Sequence, residues 1–324
     1  MTIIRYVKTS ENYNEFTDLR KYPSFQKLQN DSREEIIDKI NSILEKGANE
    51  KWLVDFNELE IGTQHDKGAN SDVYNCKWRG LDIVVKKPKE KKLDLLLDLL
   101  MEIKLWSNLR HPYLVQFLGV SYIDNDFYIL LEKINGSNLR KFIDNKTHSI
   151  SKPAKNQICI QLINVIKFLH SCKPPIIYRD LKPENIMIDK FNNVKLIDFG
   201  LSRYMPEQTK FKLTGGAGTI RYMAPEVYNC EYYDLKADVY SLGFILYFII
   251  SGKKPFYEYD VNTIKTYMEN EDLVHSLTTI KDKDWKYIIK NCINKKINER
   301  WNINTLFDNV DNLTLYDTQQ CVIG

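Results

Sequence analysis

The stretch Tyr178-Arg179-Asp180-Leu181-Lys182-Pro183-Glu184-Asn185, followed by Asp198-Phe199-Gly200, gathers a carboxylate base, an ammonium group and two oxygen-ligand side chains into residues 178–200. An apolar β-like segment, Ile176 to Tyr178, leads into the first motif, and a second, Val194 to Ile197, leads into the other. Asp180 and Asp198 are therefore expected at strand ends, facing a common cleft, and their separation of 18 residues leaves room for one hairpin. Asn185 and Asp198 offer hard oxygen donors, which suit Mg2+ better than zinc or a softer metal. A base, a cation and such ligands are the equipment for moving a phosphoryl group. Each alone reads as a solvated loop carboxylate or a turn asparagine; their order and spacing carry the reading.

The two motifs resemble the catalytic loop H-R-D-L-x-x-x-N and the metal-binding loop D-F-G of the eukaryotic protein kinase family. The resemblance covers about four-fifths of the chain. It implies an α+β, bilobal kinase fold, with a small β-rich N-lobe carrying one helix and a larger helical C-lobe. The activity it implies is ATP-dependent transfer of the γ-phosphate of Mg-ATP to serine or threonine hydroxyls of protein substrates. By the same resemblance Asp180 is the catalytic base, Lys182 offsets charge on the moving phosphoryl group, and Asn185 and Asp198 hold Mg2+. Ile83-Val84-Val85-Lys86 has the form of the family's V-A-I-K strand, so Lys86 is expected on the α- and β-phosphates. Its expected partner is Glu102, which opens a stretch, Glu102 to Pro112, that matches the family's paired-glutamate helix in register. Glu90 and Asp98 are the competing acids. Glu90 lies in the basic run Lys86 to Lys92, and Asp98 lies a turn too early.

The loop expected to cover the phosphates is where the chain departs from the family pattern. Within Leu59 to Tyr74, only the middle glycine of G-x-G-x-x-G-x-V is present, as Gly68, while Asp66 and Ser71 hold the outer positions. Glycine lets backbone N–H groups approach phosphates; Asp66 adds like charge and Ser71 adds bulk, which weakens the expected hold on ATP. The expected ATP-binding residues here are His65, Asp66, Lys67, Gly68, Ala69, Asn70, Ser71, Asp72 and Val73. His65 stands where an aliphatic residue covers the adenine, and Val84 where the family has a smaller alanine. Further along, Leu131 to Leu139 resembles the hinge: Leu131 is the expected gatekeeper, the backbone of Glu132 and Ile134 is expected on the adenine edge, and Met187 on its floor.

Gly218 to Glu226 resembles the end of the activation segment, Asp238 to Gly243 the start of the family's central helix, and Arg300 is the expected ion-pair partner of Glu226. Arg179, directly before Asp180, would be a half-buried cation without an anionic partner, so a loop phosphate is expected to meet it. Ser202, Thr209 and Thr214 are the candidate acceptors, with Thr214 favoured. Thr219 is expected to contact Asp180 and Lys182. Beside protein substrates, the expected partners are an upstream kinase or a second copy of the chain.

With 324 residues, 43% of them hydrophobic, the chain can build the cores of both lobes. A net charge of +3 is too mild to imply a nucleic-acid partner. The six cysteines show no C-x-x-C or metal spacing and read as reduced thiols of a cytoplasmic protein. The start of the chain shows no signal pattern. The strongest apolar stretch, Leu242 to Ile250, is too short to span a bilayer and is expected to be a buried helix. Ser32-Arg33-Glu34-Glu35 reads as a capping box opening an amphipathic helix over 32–46, with Ile36, Ile37, Ile40, Ile43 and Leu44 as its stripe. That stripe is expected to pack on the kinase domain, with a separate partner as the other reading. The expected organisation is an N-terminal extension over 1–55, a kinase domain over 56–315 (N-lobe 56–133, C-lobe 134–315) and a tail over 316–324. Cys321-Val322-Ile323-Gly324 has the outline of a prenylation box, but a final glycine argues against lipidation.

Within the family, Trp52 to Gly62, Lys77-Trp78-Arg79-Gly80 and Arg110-His111-Pro112 resemble the tyrosine-kinase-like group, whose Raf-like members act on serine and threonine. Lys182 and Thr219 agree with that specificity. The alternative is a pseudokinase scaffold with weak nucleotide binding. Asp66 and Ser71 favour it, while Lys86, Glu102, Asp180, Asn185 and Asp198 oppose it.

Overall fold

The computed structural model describes residues 30–67, 71–89, 93–124, 126–145, 150–205, 220–270 and 275–311. The chain divides into two compact units. One takes residues up to Arg110 together with Val115–Ile134; the other takes His111–Leu114 and everything from Asn135 onward.

The first unit is built on an antiparallel sheet of order β1-β2-β3-β5-β4, formed by β1 (Leu59–Lys67), β2 (Ser71–Trp78), β3 (Leu81–Pro88), β4 (Phe117–Ile123) and β5 (Asp126–Glu132). Alternation along β3 turns Ile83 and Val85 inward, where they join Val54, Cys76 and Leu130 in a buried cluster. Helix α1 (Asn30–Asn49) packs on helix α2 (Leu93–Asn108), which connects β3 to β4. The α2 sequence is apolar nearly all round, as befits a helix covered on more than one side. Leu96 and Ile103 are buried, and so is Leu105, which lies about two and a half turns beyond Leu96 and hence on the opposite face. The capping box does not open α1, since the helical backbone already runs through Ser32, and the helix continues past Gly47 to Asn49. Of the expected stripe, Ile36 and Ile40 are buried, while Ile37, Ile43 and Leu44 are half-buried.

The second unit is mainly helical: α3 (Leu139–Asp144), α4 (Lys152–Ser171), α5 (Pro225–Tyr228), α6 (Lys236–Ser251), α7 (Val261–Glu269) and α8 (Lys283–Cys292). Ser151 caps α4 through its hydroxyl, and Pro153 sits in the first turn, where its missing N–H costs nothing. Helix α6 is buried from Ala237 to Ile249 and ends at Gly252, whose φ of 69° suits a left-handed cap. It packs on α4 and α8. Gly243 makes the second contact close: a Cβ there would lie 2.7 Å from that of Cys292. None of the helices over the described residues is long and apolar enough to cross a membrane. Two small sheets, β6 (Gly136–Asn138) with β8 (Ile186–Asp189) and β9 (Val194–Leu196), and β7 (Ile176–Ile177) with β10 (Arg203–Tyr204), carry the two opening motifs. Asp180 follows β7 and Asp198 follows β9, with the β8–β9 hairpin between them.

Candidate active site

In the first unit, Lys86 lies on β3 opposite Val73 of β2 and Ile129 of β5. Its Nζ sits 2.6 Å from Glu102 Oε1 on α2, and both side chains are largely buried, at 12% and 4% exposure. A buried pair this close is held by strong local attraction, and removing one partner strands the other charge. Asp98 lies one turn earlier on the same helix, while Glu90 lies outside the described residues. Val84 and Leu131, the expected adenine-pocket residue and gatekeeper, are direct cross-strand neighbours.

The expected phosphate-covering segment is described only at its flanks. His65 and Asp66 are exposed on β1, Asp66 opposite Val73 and Lys67 opposite Asp72. Asp72 accepts from Gln64 Nε2 at 2.8 Å and pairs with Lys89 at 3.2 Å. Ser71 opens β2; Gly68, Ala69, Asn70 and the Lys67 side chain lie outside the described residues. At the hinge the expectation narrows. The Glu132 N–H donates to the Gln116 carbonyl at 3.1 Å, and Glu132 Oε1 accepts from the Gln116 N–H at 2.8 Å. An adenine contact at Glu132 therefore falls to its carbonyl. Ile134 follows, half-buried.

In the second unit, Asp180 Oδ2 lies 2.5 Å from Lys182 Nζ and accepts from Asn185 Nδ2 at 2.8 Å. The same Nδ2 donates to the Asp180 carbonyl at 3.0 Å, which fixes the Asn185 amide. Burial raises the Asp180 carboxyl above its ordinary value; Lys182 and Asn185 pull it down, and the nearby Asp198 pushes it up. Two non-glycine residues of the motifs adopt left-handed backbone, Arg179 at φ 70° and Asp198 at φ 65°. Such conformations persist where their surroundings over-determine them. Asp238, in the first turn of α6, supplies that hold at Arg179, accepting from the N–H of Tyr178 at 2.8 Å and of Arg179 at 2.9 Å. His170 Nε2 lies 3.0 Å from the same carboxylate.

The two motifs are stitched to each other. The Tyr178 hydroxyl donates to the Ile197 carbonyl, the Ile197 N–H donates to the Asn185 carbonyl at 2.9 Å, and Tyr178 meets Phe199 edge-on at 5.5 Å. Sequence reasoning passed over Tyr178, which stands where the family pattern has histidine; that departure was the available signal. Met187, half-buried on β8, pairs with Asn138 and Lys195. Arg300 holds Glu226 bidentately, at 2.6 and 2.9 Å, as expected.

The oxygen donors fit a magnesium ion. Among the described residues there is no cluster of three or more His, Cys, Asp or Glu that would make an all-protein cage. Mg2+ is typically held by one or two side-chain oxygens, with phosphate and water supplying the rest. Asn185 and Asp198 match that need.

Arg179 is half-buried; its Nε donates to the Leu201 carbonyl at 2.5 Å and its Nη1 to the Tyr233 hydroxyl at 3.2 Å. Both acceptors are neutral, and no carboxylate among the described residues pairs with its guanidinium. Ser202 is removed from the phosphate acceptors: it is fully buried, and its hydroxyl donates to the Tyr178 carbonyl at 3.2 Å. Thr209, Thr214, Thr219 and Cys321 lie outside the described residues. Among the described residues no two cysteines are joined by a disulfide.

Residues 60–310 match the protein kinase domain family. The chain is 34% identical over 257 residues to a putative serine/threonine-protein kinase/receptor of Acanthamoeba polyphaga mimivirus, an overlap covering 77% of this chain and 16% of that protein. It is 33% identical over 205 residues, or 63% of its length, to a RasGEF domain-containing serine/threonine-protein kinase of Dictyostelium discoideum, of which it covers 21%. A probable serine/threonine-protein kinase of Arabidopsis thaliana is 33% identical over 200 residues, 61% of this chain and 19% of that one. The chain thus spans less than a quarter of the length of these relatives. The matched residues take in the motifs from the Lys86 strand to Arg300, and on that footing the chain belongs to the protein kinase domain family.

Proposed function

We propose that this chain is a serine/threonine protein kinase of the tyrosine-kinase-like, Raf-like group, transferring the γ-phosphate of Mg-ATP to hydroxyls of protein substrates. The observation that carries the reading is the Asp180 carboxylate, set between Lys182 at 2.5 Å and Asn185 at 2.8 Å. In this reading Asp180 takes the proton of the substrate hydroxyl as its oxygen bonds to the γ-phosphorus, while the bond from that phosphorus to the β-phosphate oxygen breaks and ADP departs. Lys182 offsets the charge gathering on the phosphoryl oxygens. Lys86, held by Glu102, orients the α- and β-phosphates, and Asn185 and Asp198 hold Mg2+. The metal, when bound, neutralises phosphate charge.

Transfer to serine and threonine, rather than tyrosine, is supported by Lys182 and by the names of the relatives. The group assignment rests on Trp52 to Gly62, Lys77 to Gly80 and Arg110 to Pro112. Asp66 and Ser71 are the residues that favour a pseudokinase scaffold instead; Lys86, Glu102, Asp180, Asn185 and Asp198 oppose it. Regulation by a phosphate on Thr214 is supported by the neutral acceptors around the Arg179 guanidinium.

A radiolabelled ATP assay on generic protein substrates, with phosphoamino-acid analysis, tests the function: labelled serine and threonine are expected. Labelled tyrosine alone would refute the specificity, and no transfer by the wild-type chain would refute the activity. Thr214→Ala, compared with the wild type before and after phosphatase, tests the regulation. Equal activity in all four states would exclude it.

A further inference from the structure

We infer that helix α1, which lies outside the region matched to the family, is a positioning element of the Lys86–Glu102 pair, clamping the helix that carries Glu102. The inference rests on the proposed kinase activity, in which that pair orients the phosphates.

Four observations support it. First, α1 packs on α2, and the residues it buries are Ile36 at 5% exposure, Ile40 at 0% and Gly47. Second, α2 is buried on opposite faces. Ile103 and Leu105 are both fully covered, so the sheet alone does not account for its packing. Third, the C-terminal ends of the two helices are tied: Lys46 Nζ donates to Asn108 Oδ1, in the last residue of α2, at 2.8 Å.

Fourth, the same C-terminal end of α1 is also fixed to the sheet, so the helix cannot drift with α2. The N–H groups of Trp52 and Leu53 donate to the Gly47 carbonyl at 2.9 and 3.0 Å. The Trp52 ring lies so close that a Cβ on Gly47 would come within 2.6 Å of it. Trp52 accepts from the Val120 N–H at 2.9 Å, and the Val54 N–H donates to the Val120 carbonyl at 2.8 Å. Helix α2 is thus held between its own sheet and a helix anchored to that sheet. Glu102, buried at 3%, reaches Lys86 only if α2 keeps its rotation and height. Misplacing a positioning group by about an ångström costs up to about a hundredfold in rate.

The test uses the full chain. Ile40→Asp puts a charge into the buried stripe of α1 and touches neither Lys86 nor Glu102. We expect amide hydrogen exchange across residues 93–108 to quicken by about tenfold or more, while 236–251 in α6 keeps its protection. We expect kcat to fall by about ten- to a hundredfold, with KM for the protein substrate unchanged. Ile40→Val is expected to restore both. Should Ile40→Asp fail to fold, Lys46→Ala loosens the same contact more gently and is expected to lower kcat by a few-fold. A folded variant with wild-type kcat would overturn the inference, as would loosening of α6 in step with α2. An inactive wild type would instead overturn the kinase reading; the exchange pattern then decides the clamp alone, and unchanged exchange across 93–108 defeats it.

Discussion

Replacing Asp238 by asparagine exchanges one oxygen for an NH2 group at a point that is 1% exposed, where water cannot repair the change. The carboxylate takes the Tyr178 N–H on Oδ2 at 2.8 Å and the Arg179 N–H on Oδ1 at 2.9 Å. Whichever way the new amide turns, its NH2 faces one of these N–H groups, and two donors meet. One charge-assisted hydrogen bond is lost and one buried donor is left unmade, a cost of about 2–4 kcal/mol. At about 2–4 °C per kcal/mol for proteins of 150–250 residues, the melting temperature should fall by about 5–15 °C. The loss lands beside the base, because Arg179 is held in its left-handed conformation by this bond and Asp180 is the next residue. Asp238→Asn should therefore lower kcat as well, by about tenfold or more. Thermal unfolding and phosphotransfer at saturating ATP measure the two effects. A folded Asp238→Asn protein that loses less than about 1 kcal/mol and keeps wild-type kcat would refute the assignment of Asp238 as the holder of this loop.

Asp180→Asn keeps size but removes the base, so phosphotransfer should drop by about a hundredfold or more, with nucleotide binding by calorimetry unchanged. Burial raises the Asp180 carboxyl above the ordinary 3.8, and only its ionised form can accept the proton, so activity should fall off on the acid side at a pH above that value. Lys182→Ala removes a group that pulls the carboxyl down and should move that limb to higher pH in a kcat/KM profile. His275 is buried beside Phe244, Tyr247 and Phe256, and burial lowers it from 6.5 to about 4. Unfolded chains bind the extra proton first, so its contribution to stability is complete above about pH 6.5 and is lost as pH falls toward 4, about 3 kcal/mol in all. His275→Gln, which keeps an acceptor for the Phe256 N–H, should flatten that slope in urea titrations run across the window. Restoring glycine at 66 and 71 should tighten Mg-ATP binding by roughly fivefold, about 1 kcal/mol, read by calorimetry; unchanged binding would clear Asp66 and Ser71 of weakening the site.

The residues of the site were legible because their chemistry depends on side-chain type at short, fixed separations. Asp180, Lys182 and Asn185 had to lie close together once the loop between them was short, and the Lys86–Glu102 pair followed from a strand and a helix matched in register. The bonds that hold these groups were harder to read. Ile197 to Asn185 is a backbone contact and leaves no trace in side-chain pattern. Ser202 looked like a surface hydroxyl because serine usually is one, yet it is spent on the Tyr178 carbonyl inside the core. The stripe of α1 announced a face packed on the kinase domain without naming the helix that meets it, since periodicity records that water is excluded and nothing of the element that excludes it. The Glu132 N–H is bound to the carbonyl of Gln116, sixteen residues earlier, a partner of which the hinge pattern carries no sign.

Strand β4 stands last in its sheet, and among the described residues its outer rim is paired at Val120, by the short pairing with residues 52–54. Rows of bare N–H and C=O groups on a sheet edge invite a second chain to add a strand, which is a common route to aggregation. A fragment trimmed to the family match at residue 60 would lose that cover together with the Trp52 ring that leans on Phe117 at 5.5 Å. It would keep Lys86, Glu102, Asp180 and Asp198, yet its edge would be sticky, so shortening this protein to its kinase domain should produce material that associates through β4 before its chemistry can be measured.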